Sequence, residues 1–92
     1  MKREDVYKVL DGERDYQDSK WGVQTDQGKR TENFIVYMQA YLNQAVNDIT
    51  FNKGDEKALD TLRKVVGLGI ACFEINGVPK RTSKSPVQSN NK

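Results

Sequence analysis

The chain reads as all-α, a compact three-helix protomer that assembles into a symmetric homo-oligomer. Three observations predict this. Apolar residues recur at steps of three and four along three segments, and no segment alternates apolar with polar residues as a strand does. The breaks between segments, at Gly22 to Arg30, Phe51-Asn52-Lys53-Gly54 and Asn76-Gly77, are rich in residues that end helices. The last segment is apolar on all sides, so it asks for more cover than one small protomer supplies.

The first helix is expected from Arg3 to Trp21, with Glu4 and Asp5 in the first turn, where the helix dipole favours acids. Gly12 in its middle costs about 1 kcal/mol relative to alanine, which predicts a bend or a close contact there. Val6, Leu10, Glu13, Gln17 and Lys20 follow one another on a single seam that begins aliphatic and ends as acid, amide and base. Trp21 borders the same stripe, about 60° from Val6. Such a face is either an exposed helix end or a polar site. After the loop at 22 to 30, Thr31 is expected to cap a second helix, with Glu32 and Asn33 behind it. Phe34, Met38, Tyr41, Ala45 and Ile49 form its stripe, widened by Ile35, Leu42 and Val46. Asp55 opens the third helix, and Gly77 is placed for a left-handed cap, with Pro79 beyond it.

In that third helix Leu59, Leu62, Val66, Ile70 and Phe73 share one face, while Val65, Leu68, Cys72 and Ile75 lie largely on the other. Glu74 is the sole charged residue between positions 65 and 75. A wet second face would be an apolar patch of the kind that marks an interface, so the helix is expected near the centre of an oligomer. Gly67 and Gly69 allow a helix or a ligand close to its backbone.

Composition sets further bounds. Ninety-two residues make one small domain whose core is marginal unless other surface is buried. No run of about 18 apolar residues suggests a membrane span, and the charged N-terminus is unlike a secretory signal. Cys72 stands alone and suits a reducing cytosol, and histidine is absent, which removes His-based metal sites and His-activated nucleophiles. The net charge of +2 divides unevenly. Lys80, Arg81, Lys84 and Lys92 lie in a tail without acids, so the other 11 bases face all 13 acids. Residues 1–78 are therefore read as a slightly acidic helical domain that does not suit a DNA or RNA polymer. Residues 79–92 are read as a flexible basic tail, a solubility feature or, alternatively, a gate over a ligand.

No catalytic residue is expected. Helical nucleotide pyrophosphohydrolases hold Mg²⁺ with paired Glu-x-x-Glu and Glu-x-x-Asp motifs, and here a second acidic pair is missing. Cys72, flanked by Ile70, Ala71 and Phe73, is a core thiol. No metal and no cofactor follow from the sequence. Binding fits better, because ligands with phosphates and bases ask for cations, flat rings and amides. Tyr7, Arg14, Tyr16, Gln17, Lys20 and Trp21 supply these on the first helix, with Tyr7 and Tyr16 on opposite margins. Arg63 is the other candidate, with Gly67 one turn on, since copies of Arg63 in a symmetric assembly would converge on a shared anion. Structural readings stand beside these: Trp21 as a core anchor, Arg14 with Glu13 as a surface ion pair, and Arg63 paired with Asp60 or Asp55.

Three stretches carry a resemblance: Glu-Arg-Asp-Tyr-Gln-Asp-Ser-Lys-Trp-Gly at 13–22, Tyr-Met-Gln-Ala-Tyr-Leu-Asn-Gln-Ala at 37–45, and Leu-Arg-Lys-Val-Val-Gly-Leu-Gly-Ile-Ala-Cys-Phe-Glu at 62–74, followed by Asn-Gly-Val-Pro. Over roughly residues 1–81 the chain resembles the phage anti-CBASS cyclic-nucleotide sponges, the second type of anti-CBASS protein. The resemblance implies a helical homohexamer, in the cytoplasm of the infected bacterial host, that sequesters cyclic di- and trinucleotides uncleaved and so silences CBASS signalling. The dinucleotide, such as 3′,3′-cGAMP, would lie between protomers, with Tyr7 matching the family's tyrosine and Lys20 the nearest match to its lysine. Trp21, beside Lys20, joins that site. Arg63 matches the arginine of a separate trinucleotide pocket, where Gly67 replaces a small hydroxyl residue. A Mg²⁺-dependent nucleotide pyrophosphohydrolase and a direct protein–protein inhibitor of a host factor remain the alternatives.

Overall fold

The structure, a computed structural model, describes residues 1–22, 29–51 and 54–82. Most of the expected loop at 22–30, the break at Asn52-Lys53 and the tail from position 83, including Lys84 and Lys92, lie outside the described residues. Among the described residues there are three α-helices and no strand: α1 (Arg3–Trp21), α2 (Thr31–Phe51) and α3 (Glu56–Asn76). None is long and apolar enough to cross a membrane.

The helix ends follow local chemistry. At the end of α1 the Gly22 N–H donates to the Asp18 carbonyl at 2.8 Å, and at the end of α3 the Gly77 N–H donates to the Phe73 carbonyl at the same distance. Gly77 has φ +89°, a conformation that L side chains rarely adopt. The start of α2 differs from the expectation by one residue. The Arg30 carbonyl accepts from the N–H groups of Asn33 and Phe34, and the Asn33 side chain accepts from the Arg30 N–H at 2.9 Å. Arg30 thus holds the cap position, not Thr31, because Asn33 reaches back in the reciprocal half of a capping box.

Helix α3 is the hub, with α2 and α1 each packed on it. Asp48 meets Thr61, a methyl group built on Gly69 would touch Met38, and Phe34 clusters with Ala71 and Cys72. As α2 positions fall, their α3 partners rise, so the pair is antiparallel. The inward stripe of α2 is Phe34, Met38, Tyr41, Ala45 and Asp48. The expected fifth member, Ile49, is 62% exposed. Asp48 takes its place because Thr61 donates to its carboxylate at 3.5 Å and Lys57 stands 4.0 Å away, partners that Ile49 would not use. The core is small: Phe34 from α2 clusters with Ala71 and Cys72 from α3, and Ala58, Val65 and Leu68 of α3 are also buried. Of the two apolar faces expected on α3, this core covers one, apart from half-open Ile75. On the other, Leu59, Leu62, Val66 and Phe73 are 38–56% exposed in the protomer and Ile70 is half-buried.

Candidate functional site

The second flank of α3 is covered by α1 with different chemistry. Glu13, Arg14 and Gln17, consecutive inward positions of α1, are all buried, and Gln17 is only 2% exposed. Backbone approach makes this possible. A Cβ added to Gly67 would lie 2.6 Å from Gln17 Nε2 and 2.9 Å from Glu13 Cγ, so only glycine leaves room for the two side chains.

The buried groups satisfy one another. Gln17 Nε2 donates to Glu13 Oε2 at 3.0 Å and to the Lys64 carbonyl at 3.3 Å, while its Oε1 accepts from Arg14 Nη1 at 3.1 Å. Arg14 spans to the far end of α3, where Nε and Nη2 donate to the two oxygens of Glu74 at 2.8 and 3.0 Å, and Nη2 also donates to Asp18 at 2.9 Å. At the other end Arg63 Nε donates to Glu13 Oε1 at 2.9 Å, and its Nη2 lies 2.6 Å from Asp60. The chain Asp60–Arg63–Glu13–Gln17–Arg14–Glu74 therefore runs unbroken along the contact. Hydrogen bonding to Arg14 holds the Glu74 carboxyl below the usual carboxylate range, and Glu74 in turn raises the Arg14 guanidinium further above its ordinary value. Bonding to Glu13 and then Asp60 raises Arg63 likewise.

This seam is a structural lock. Its carboxylates Glu13, Asp18, Asp60 and Glu74 are each engaged by a guanidinium. Among the described residues no three of His, Cys, Asp and Glu are grouped to hold a metal ion. Cys72 is buried, and the Asn76 amide donates to its carbonyl at 3.2 Å.

The charged run at 13–22 is thus divided. Glu13, Arg14 and Gln17 are withdrawn into the protomer, whereas Asp15, Tyr16, Ser19, Lys20 and Trp21 are left on the surface. Arg14 pairs with Asp18 and Glu74, not with Glu13. Lys20 lies over the Tyr16 ring, its Nζ 5.7 Å from the centroid, and Trp21 is 38% exposed. Tyr7, 60% exposed, stands on the same helix thirteen residues before Lys20, about 20 Å along the axis. A single ligand therefore does not bridge Tyr7 and Lys20 within one protomer, and any pocket that uses both needs a second copy. Arg63 keeps an exposed edge, with 38% of its side chain accessible, while Gly67 lies beneath Gln17 and Glu13.

The seam escapes a reading by sequence because its partners lie 50 and 60 positions apart. The spacing of four shared by Glu13–Gln17 and Arg63–Gly67 places each pair on one face of its own helix and does not say which helices meet or in which direction. Such a fold and seam define a class, an all-helical protein with one polar and one apolar helix contact. Compared with known proteins, the chain matches no family model, and no curated protein or solved structure is similar to it.

Proposed function

We propose that the protein is a non-catalytic sponge that sequesters cyclic dinucleotides such as 3′,3′-cGAMP between copies of itself, in a homohexamer, and so blocks CBASS signalling in the infected bacterial host. The observation that carries this reading is the division of the charged run. The residues of the run that remain on the surface of α1 include two rings and a cation, Tyr16, Trp21 and Lys20, beside Asp15 and Ser19, and with Tyr7 one stretch earlier these supply groups that stack on bases and pair with phosphates. The distance between Tyr7 and Lys20 agrees with a pocket assembled from two protomers. Cyclic trinucleotides are the second ligand class, and there the support narrows to the exposed edge of Arg63, since Gly67 is covered.

The test is recovery of ligand. Protein incubated with 3′,3′-cGAMP and then heat-denatured should release it intact, in a fixed ratio to chains. Release of cleaved product would overturn the reading in favour of the pyrophosphohydrolase. Tyr7→Ala should lose at least tenfold in dinucleotide affinity at unchanged molecular mass, and unchanged affinity would reject the pocket.

A further inference from the structure

Two acids stand where helix electrostatics disfavours them. Asp18 lies in the last turn of α1 and Glu74 in the last turn of α3, each near the negative end of its own helix dipole. The order within α1 does not compensate, because a base placed four residues before an acid is the weaker arrangement of such a pair. Both acids are gathered on one buried guanidinium. Arg14 Nη2 donates to Asp18 at 2.9 Å and to Glu74 at 3.0 Å, while its Nε holds the second Glu74 oxygen at 2.8 Å. The last turn of α1 is thereby tied to the last turn of α3.

Asp18 is used twice. Its carboxylate accepts from Arg14, and its carbonyl accepts from the Gly22 N–H at 2.8 Å, the bond that closes the helix. Between these two anchors stand Lys20 and Trp21. Helix ends fray because their last carbonyls lack partners within the helix, and a frayed turn would carry both side chains away from any fixed pose. We propose that Asp18, acting through Arg14, is a positioning residue of the ligand face: it pins the last turn of α1 so that Lys20 and Trp21 meet a cyclic dinucleotide, and it does not touch the ligand itself. The identity of the ligand rests on the sponge reading above, whereas the pinning is measurable without ligand. An unpinned turn weakens binding only by the fraction of chains in which it has frayed. The loss is therefore bounded by the worth of one part-exposed ion pair, about two- to fivefold in affinity.

Trp21 is the only tryptophan of the chain, so its emission reports this turn alone. In the full chain without nucleotide, Asp18→Ala should make Trp21 more accessible to acrylamide quenching, with far-ultraviolet circular dichroism showing the rest of the helices retained. The same variant should bind 3′,3′-cGAMP about two- to fivefold more weakly at unchanged stoichiometry. The sign is informative. Removing an acid two residues from Lys20 should by charge alone strengthen binding of a ligand with two phosphates, so a weaker complex is the mark of lost position. Asp18→Asn keeps an acceptor for Arg14 and should fall between wild type and Asp18→Ala in both measurements. A purely structural Asp18 would lower the urea midpoint of Asp18→Ala and leave quenching and affinity of the folded protein as they are, which would overturn the proposal. Tighter binding by Asp18→Ala, or an Asp18→Asn variant no better than Asp18→Ala, would overturn it as well. A wild-type chain that binds no 3′,3′-cGAMP would sink the sponge reading, and the pin would then stand or fall on the Trp21 quenching difference.

Discussion

The two flanks of α3 bury opposite chemistry. Against α2 it packs Ala71 and Cys72 around Phe34, a contact that is non-directional and tolerant of small shifts. Against α1 it buries an acid, a base and an amide over a single glycine. Such a network adds little net stability, since desolvation of the charges offsets much of their attraction. It specifies position instead. A slide of α1 by one turn, about 5.4 Å, would carry Gln17 off Gly67 and leave buried charges without partners. The apolar flank holds the chain folded, and the polar flank fixes where α1 and its exposed rings stand.

Breaking each flank should show that difference. Phe34→Ala, at a side chain only 1% exposed, is expected to cost about 3–5 kcal/mol, enough to unfold much of a small domain, as read by urea titration. A loss below about 1 kcal/mol would mean that the core lies elsewhere. Arg14→Met keeps the stem but strands Gln17 Oε1, Asp18 and Glu74 without their donor. The expected cost is about 2 kcal/mol, moderated because Glu74 and Asp18 are part-exposed. Its signature is loss of amide-exchange protection in α1 before α3.

The apolar flank was the more legible in the sequence. Helix limits follow from local signals, so α1 and the glycine at the end of α3 match their expected places. The two apolar faces of α3 follow from periodicity alone, and one of them is only partly covered in the protomer. The polar flank was legible only as a composition. Glu13 and Gln17 share a seam with Val6 and Leu10, but nothing local says that the seam closes on Arg63, Lys64 and Glu74 of the same chain. Lys20 continues that rhythm on paper, yet it departs from the seam to lie over Tyr16. Asp48 for Ile49 is the same lesson in small: a buried acid is chosen by partners thirteen and nine positions away, beyond what hydropathy reports.

The helix-interior glycines sharpen the contrast further. Gly67→Ala puts a Cβ inside the space of Gln17 and Glu13, and should cost about 1–2 kcal/mol in chemical denaturation. That cost should shrink in a Gln17→Ala background, where the obstructing amide is gone. Additive costs would show that the close approach is not what Gly67 serves. Gly12 was expected to mark a bend or a close contact; the contact is absent, since among the described residues nothing beyond its own helix backbone and chain neighbours lies within 4 Å of a Cβ built there. Gly12→Ala should therefore stabilise the protein by up to about 1 kcal/mol through helix propensity and a less flexible unfolded chain.

The smallest effect is the acid limb of the polar flank. Folding lowers the Glu74 pKa from its ordinary 4.5 because Arg14 donates to the ionised form. The folded state therefore favours the deprotonated carboxyl, so the contribution is complete above the unfolded value and is lost as pH falls through the lower, folded one. Arg14 is shifted upward and stays charged throughout that range. With half of the Glu74 side chain in solvent, the pair is worth less than about 1 kcal/mol and should weaken in salt. Glu74→Gln should accordingly be less stable than wild type at neutral pH, and the two should converge as pH falls below the ordinary 4.5 and through the lowered, folded value. A gap that persists undiminished after the wild-type carboxyl has taken up its proton would assign the loss to packing and not to charge. Phe34→Ala serves as the control, since a cavity in the apolar flank carries no proton and its cost should not change over the same range.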